Sequence, residues 1–313
     1  MEFPDNSEYR TLEEAEVSND PKPIAVAQYR PPAKSPEVRR DPLIFAHGAG
    51  GSMYTEGILN FRDGFAPMCP FITFQGNMNL KSRVKMFNAV IADQAPDGAV
   101  LGGRSMGARA AVICANESSG KHAKLVLVSY PLHTEKKGEV EMRDQILFDL
   151  AAECEVLFIT GSRDTMCDLD RLQAVRKEMA CHSWLVHVDG ANHGMEMKPS
   201  AATKAMGAMM GRLAAAWLKG PRDRKQTEGT LQWDDEKQVP VWKGWESLSG
   251  TQPDPNSKTV TNGNDHEAPA MAGKAHKRQR ITQTARHDQA KEPDPSNDTI
   301  STRTRSRRKD QHA

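Results

Sequence analysis

Between residues 24 and 219, short continuous apolar runs alternate with amphipathic stretches. Leu43–Ala46, Phe71–Phe74, Ala99–Leu101, Leu125–Ser129, Val156–Thr160 and Trp184–Val188 are apolar runs of strand length. Between them, apolar residues recur at helical spacing. Tyr54, Ile58, Leu59 and Phe65 do so over 53–66, and Val84, Phe87 and Ile91 over 81–94. Small residues fill 108–115. Met142, Ile146 and Leu150 predict a helix over 141–150, and Leu169, Leu172, Val175 and Met179 predict one over 168–180. A last helix over 200–219 carries Met206, Met209, Met210, Leu213 and Trp217, a stripe read as core packing. Ile24–Tyr29 alternates and reads as an edge strand. Continuous apolar strands alternating with amphipathic helices predict an α/β fold: a mostly parallel sheet with helices on both faces.

The pattern stops near residue 219. Beyond it the only Leu, Ile, Val or Phe residues are Leu231, Val239, Val241, Leu248, Val260, Ile281 and Ile300. Such a segment buries too little apolar surface to offset its ordering entropy, so 220–313 is expected to be a disordered tail. Trp233, Trp242 and Trp245 are the exception, able to dock on the domain or a partner. Residues 1–23 are acidic and pattern-free and read as a disordered arm. One domain, 24–219, remains.

Charge and cysteines change the picture little. The net charge of +1 identifies no partner for the chain as a whole. Basic clusters at 274–280 and 303–309 have two readings, a nuclear import signal or weak nucleic-acid contact on one side and a solvated tail on the other. The five cysteines are scattered, with no C-x-x-C pair, no apolar leader opens the chain, and no apolar run approaches a membrane span. An intracellular location, cytoplasmic or nuclear, with no membrane contact is expected.

The candidate chemistry sits where strands meet turns. Gly103-Arg104-Ser105-Met106-Gly107 follows the strand at 99–101 and opens the small-residue helix. This is G-x-S-x-G, a turn that strains the serine backbone and tolerates only small neighbours. Val156–Thr160 runs into Gly161-Ser162-Arg163-Asp164, and Trp184–Val188 runs toward Ala191-Asn192-His193. Serine, acid and histidine thus occur in the order found in α/β-hydrolases, at strand ends that converge on one edge of a parallel sheet. Ser105 is the candidate nucleophile, His193 the base and Asp164 the orienting acid, with Asp168 the alternative acid. His47-Gly48-Ala49-Gly50-Gly51 follows the strand at 43–46. Backbone N–H groups of Ala49, Gly50 and Met106 are the candidate oxyanion hole. His47, Arg104, His133 and Cys167 are candidate pocket-lining residues. Arg104 reads either as a contact for an acidic substrate group or as a structural ion-pair partner, and His133 either as lining or as a loop hydrogen-bonder. No metal-site spacing is present, and the chemistry requires no cofactor. The stretch between 129 and 156 leaves no room for a lid domain.

The chain resembles the small α/β-hydrolase-like family that joins a testis-expressed protein with the hydrolase-like subunit of the NSL histone acetyltransferase complex. The carrying residues are 47–51, 102–111, Ser129-Tyr130-Pro131-Leu132-His133, Arg143-Asp144, 161–168 and 191–193. The resemblance spans about residues 40–218. It implies the α/β-hydrolase fold and a triad at Ser105, Asp164 and His193, and carries no substrate. The expected activity is hydrolysis of an ester, thioester or amide of a small molecule. The competing expectation is a catalytically silent interaction module, nuclear or chromatin-associated, with protein partners bound through the tail.

Overall fold

The computed structural model describes residues 10–31, 41–118, 121–136, 139–220 and 223–247. The chain opens with β1 (Arg10–Val17), β2 (Ile24–Arg30) and β3 (Leu43–Ala46), then α1 (Glu56–Phe65), β4 (Phe71–Phe74), α2 (Leu80–Gln94), β5 (Val100–Arg104) and α3 (Met106–Glu117). Next come β6 (Lys124–Val128), β7 (His133–Lys136), β8 (Glu139–Met142), α4 (Gln145–Phe148), β9 (Glu155–Arg163) and α5 (Leu169–Glu178). The last elements are β10 (His182–Asn192), α6 (Ser200–Lys219), β11 (Gln226–Asp234) and β12 (Val239–Ser247).

Ten strands form one sheet in the order β1-β2-β4-β3-β5-β6-β9-β10-β11-β12. From β4 to β11 every neighbour pair is parallel, while β1, β2 and β12 run antiparallel to their neighbours. The inner strands are apolar because both faces are covered. β3 and β4 are buried at every position. One face packs on α2, α3 and α5 through residues such as Phe87, Ala111 and Leu172. The other packs on α1 and α6 through Phe61, Phe65, Met206, Met210 and Trp217, which makes the α6 methionines core. No helix among the described residues is long and apolar enough to cross a membrane.

Three expectations need correction. First, the sheet runs past both expected domain ends. β1 lies in the segment read as a disordered arm, so Ile24–Tyr29 is not an edge strand. β11 and β12 lie in the segment read as tail. An added edge strand needs few apolar residues, because its ladder satisfies the backbone and only one side chain in two must pack. Leu231 supplies the buried apolar side chain of β11, and Trp233, Trp242 and Trp245 pack partly buried against the α6 face. The basic clusters at 274–280 and 303–309 lie outside the described residues.

Second, the helix expected over 141–150 is instead the end of β8, which pairs with β7, followed by the single-turn α4. The apparent periodicity counted Met142, which is 39% exposed and packs on no core. Third, β9 and β10 extend beyond their apolar runs, to Arg163 and Asn192. These extensions carry Asp164 and His193 beyond the carboxyl end of β5, whose Arg104 is in register with Val128 and, through it, with Ile159.

Candidate active site

Ser105 stands between β5 and α3 with φ 54° and ψ −118°. That is a left-handed backbone region costly for a residue with a Cβ. Two glycines let the turn close so tightly. A Cβ on Gly103 would fall 2.4 Å from the Gly107 carbonyl carbon, and one on Gly107 would fall 2.0 Å from the Ala46 oxygen. Ser105 N–H donates to the Val128 carbonyl at 3.0 Å, which fixes the turn to β6.

The other two residues meet it. His193 Nε2 lies 2.9 Å from Ser105 Oγ, and His193 Nδ1 lies 2.9 Å from each Asp164 carboxylate oxygen. With a carboxylate as its only partner, Nδ1 carries the proton, so Nε2 accepts from the serine hydroxyl. The Asp164 side chain is fully buried, and its Oδ1 also accepts from Met166 N–H at 2.8 Å. Asp168, the alternative acid, instead caps α5 by accepting from Arg171 N–H at 2.9 Å.

These groups open on a cleft of about 390 Å³ lined by Gly48, Ala49, Arg104, Ser105, Met106, Arg109, Pro131, Arg143, Met166 and His193. Ala49 and Met106 border it, and neither N–H donates a hydrogen bond among the described residues. Both are free for an oxyanion. Gly50 does not line the cleft, and its N–H is directed at Met78 Sδ, 2.8 Å away. Of the three candidate donors, Ala49 and Met106 therefore border the cleft and Gly50 does not.

Of the four expected lining residues, only Arg104 lines the cleft. Its Nη2 donates to the His193 carbonyl at 3.1 Å, so it also holds the histidine loop. Burial pushes its pKa down, against the attraction of Glu196 and Asp164. His47 is buried and bonded at both ring nitrogens to backbone. Nδ1 donates to Gly48 O at 2.7 Å and Nε2 accepts from Gly76 N–H at 2.9 Å. Burial first, then the Arg83 charge, lower its pKa to about 4, so it stays neutral. It is a clamp on the glycine-rich loop. His133 Nε2 accepts from Asp168 N–H at 3.2 Å, the loop-bonding role. Cys167 is buried, and burial raises its thiol to about 12, which removes it as a nucleophile. Arg109 and Arg143 were not anticipated. Arg109 was legible as the residue one helical turn beyond Ser105. Arg143 was hidden by the mistaken helix. Among the described residues no group of three His, Cys, Asp or Glu could hold a metal ion.

The alpha/beta hydrolase domain family matches residues 77–219 of the chain. Solved structures give the same picture at low identity. An α/β serine hydrolase homologue from Coxiella burnetii is 16% identical with a TM-score of 0.50, covering 66% of this chain and 98% of that one. A thermophilic esterase from Thermogutta terrifontis is 12% identical with a TM-score of 0.51, covering 66% and 98%. The esterase domain of a Rhodothermus marinus protein is 14% identical with a TM-score of 0.50, covering 68% and 98%. The chain has the α/β-hydrolase fold.

Proposed function

We propose that this chain is a serine hydrolase of esters or thioesters, with amides as poorer substrates because an amine leaves less readily. The observation that carries the reading is the unbroken hydrogen-bonded series from Ser105 Oγ through His193 to Asp164. Ser105 Oγ attacks the substrate carbonyl carbon while its proton passes to His193 Nε2. Asp164 holds the imidazole in the receptive tautomer and stabilises the imidazolium. The carbonyl oxygen takes up negative charge facing the N–H groups of Ala49 and Met106, at the positive end of α3. Collapse expels the alkoxide or thiolate, which takes the proton from His193 and leaves an acyl-serine. A water then attacks that ester, gives its proton to His193, and releases the acid with Ser105 regenerated.

The finer kinship, to the small family shared by the testis-expressed and NSL-complex hydrolase-like proteins, is part of this proposal. It rests on the run Gly102–Ala111 and on Ser129–His133. The test is turnover of short p-nitrophenyl esters and an acyl thioester by the full chain and by Ser105→Ala. Turnover by the wild type that disappears in Ser105→Ala supports the reading. A folded wild-type chain inert toward every ester and thioester favours the silent interaction module.

A further inference from the structure

Two pairs of arginines among the described residues differ in how their guanidinium groups are partnered, and Arg104, which lines the same cleft, stands between them with one bond to the His193 carbonyl and an unpartnered Nε. Arg83 is buried, and its guanidinium is taken up by carbonyls of His47, Gly48 and Asn77. Arg176 is buried and bonds Ser183 Oγ at 3.1 Å, the Ser183 and Thr227 carbonyls at 3.1 and 3.2 Å, and Glu228 at 2.7 Å. These structural cations are saturated. Arg109 and Arg143 are not. Both line the Ser105 cleft, and each has a buried Nε with no hydrogen-bond partner. Neither side chain has a hydrogen bond or an ion pair among the described residues.

The two are nevertheless firmly placed. Arg109 N–H donates to the Ser105 carbonyl at 3.2 Å, so it stands one helical turn from the candidate nucleophile. Arg143 N–H donates to Leu132 O at 2.8 Å, and its carbonyl accepts from the buried Tyr130 hydroxyl at 2.7 Å. Burial lowers the pKa of Arg109, and the charge of Arg143 lowers it further, which places two cations within reach of each other. Glu141 attracts Arg109 without approaching to ion-pair distance. Partly burying two like charges with no carboxylate at ion-pair distance among the described residues is unfavourable, and an anion between them offsets that penalty. Two guanidinium forks match the oxygens of a carboxylate or phosphate.

We infer that Arg109 and Arg143 form an anion subsite in the Ser105 cleft, so that the substrate is a short ester or thioester carrying a carboxylate or phosphate group. The inference deepens the serine-hydrolase proposal and rests on it for the reaction, but not for binding. The cleft of about 390 Å³ suits a small charged substrate better than a long acyl chain.

Two measurements separate the claims. The first compares kcat/KM for the mono-p-nitrophenyl ester of glutaric acid and for p-nitrophenyl pentanoate, which differ by a carboxylate in place of a methyl group. The wild type should prefer the anionic ester by about 30-fold or more, as expected for a charge-assisted contact. Arg109→Gln and Arg143→Gln should each bring the ratio close to one, mainly through a raised KM for the anionic ester. Arg143→Lys should keep part of the preference and serves if a glutamine variant fails to fold. Equal use of the two esters by an active wild type overturns the inference and leaves the hydrolase reading standing. The second measures binding of glutarate and of inorganic phosphate to Ser105→Ala by calorimetry. Binding lost on adding Arg143→Gln supports the subsite even in a chain without turnover, and the tighter anion distinguishes carboxylate from phosphate substrates. Absence of binding by both anions overturns it.

Discussion

Two histidines follow strands at the same carboxyl edge of the sheet, and they have opposite characters. His47, after β3, is 1% exposed and has both ring nitrogens tied to backbone groups. His193, beyond β10, has a side chain 23% exposed, with a carboxylate on one nitrogen and a hydroxyl on the other. Burial and the Arg83 charge keep His47 neutral, and its backbone partners fix the ring in one orientation. His193 instead joins a carboxylate to a hydroxyl, the arrangement the proposed base requires. What separates the two histidines is their partners rather than their strand position.

That contrast can be broken from either side. His193→Ala should lower ester turnover by more than about 10³-fold, on the precedent of triad residues, with thermal stability nearly unchanged. Asp164→Asn should cost up to about 10⁴-fold by favouring the wrong tautomer. Calorimetric melting alongside kinetics checks both. His47→Ala should do the reverse in kind. It leaves the Gly76 N–H without its partner and the Gly48 carbonyl with only the long Arg83 contact, so denaturant unfolding should show a loss of about 2–4 kcal/mol.

The pH dependence of stability follows from the same residue. The folded-state pKa of His47 is about 4, below the ordinary 6.5. Between those values the unfolded chain takes up a proton that the folded chain refuses, so stability falls as pH drops from 6.5 toward 4. His47 contributes about 3 kcal/mol to that fall, and His122 and His187, lowered by burial in the same direction, add to it. Urea unfolding at stepped pH should show the slope, reduced in His47→Ala. The smallest effect sharpens the choice of acid. Asp168→Ala removes the α5 cap and should cost about 1 kcal/mol of stability while turnover stays within a few-fold of wild type.

The inner sheet and the Ser105, Asp164, His193 constellation were legible because each rests on a local rule. Doubly buried strands are apolar throughout, a serine elbow needs glycines at fixed offsets, and parallel strands deliver their carboxyl ends to one edge. β11 and β12 were not legible, since an edge hairpin anchored by Leu231 and three tryptophans differs little in composition from an unfolded polar segment. β7 and β8 were missed because Met142, although at helical spacing from Ile146, faces solvent. The roles of His47 and Cys167 depend on burial by residues distant in sequence, such as Arg83 beside His47 and Thr160 beside Cys167. Arg143 reaches the cleft only because Tyr130 and Leu132 pin its backbone, a tertiary fact that no short motif records.

In the proposed triad Ser105 is an activated nucleophile. An ordinary serine hydroxyl does not react with a fluorophosphonate at neutral pH, whereas one bonded to a histidine base beside an oxyanion hole does. The direct measurement is intact-mass and peptide-mapping analysis of the full chain after exposure to a neutral fluorophosphonate. One adduct per chain is expected on Ser105, absent in Ser105→Ala and slowed by orders of magnitude in His193→Ala. A folded chain that takes up no adduct, or takes it up at another residue, would contradict it.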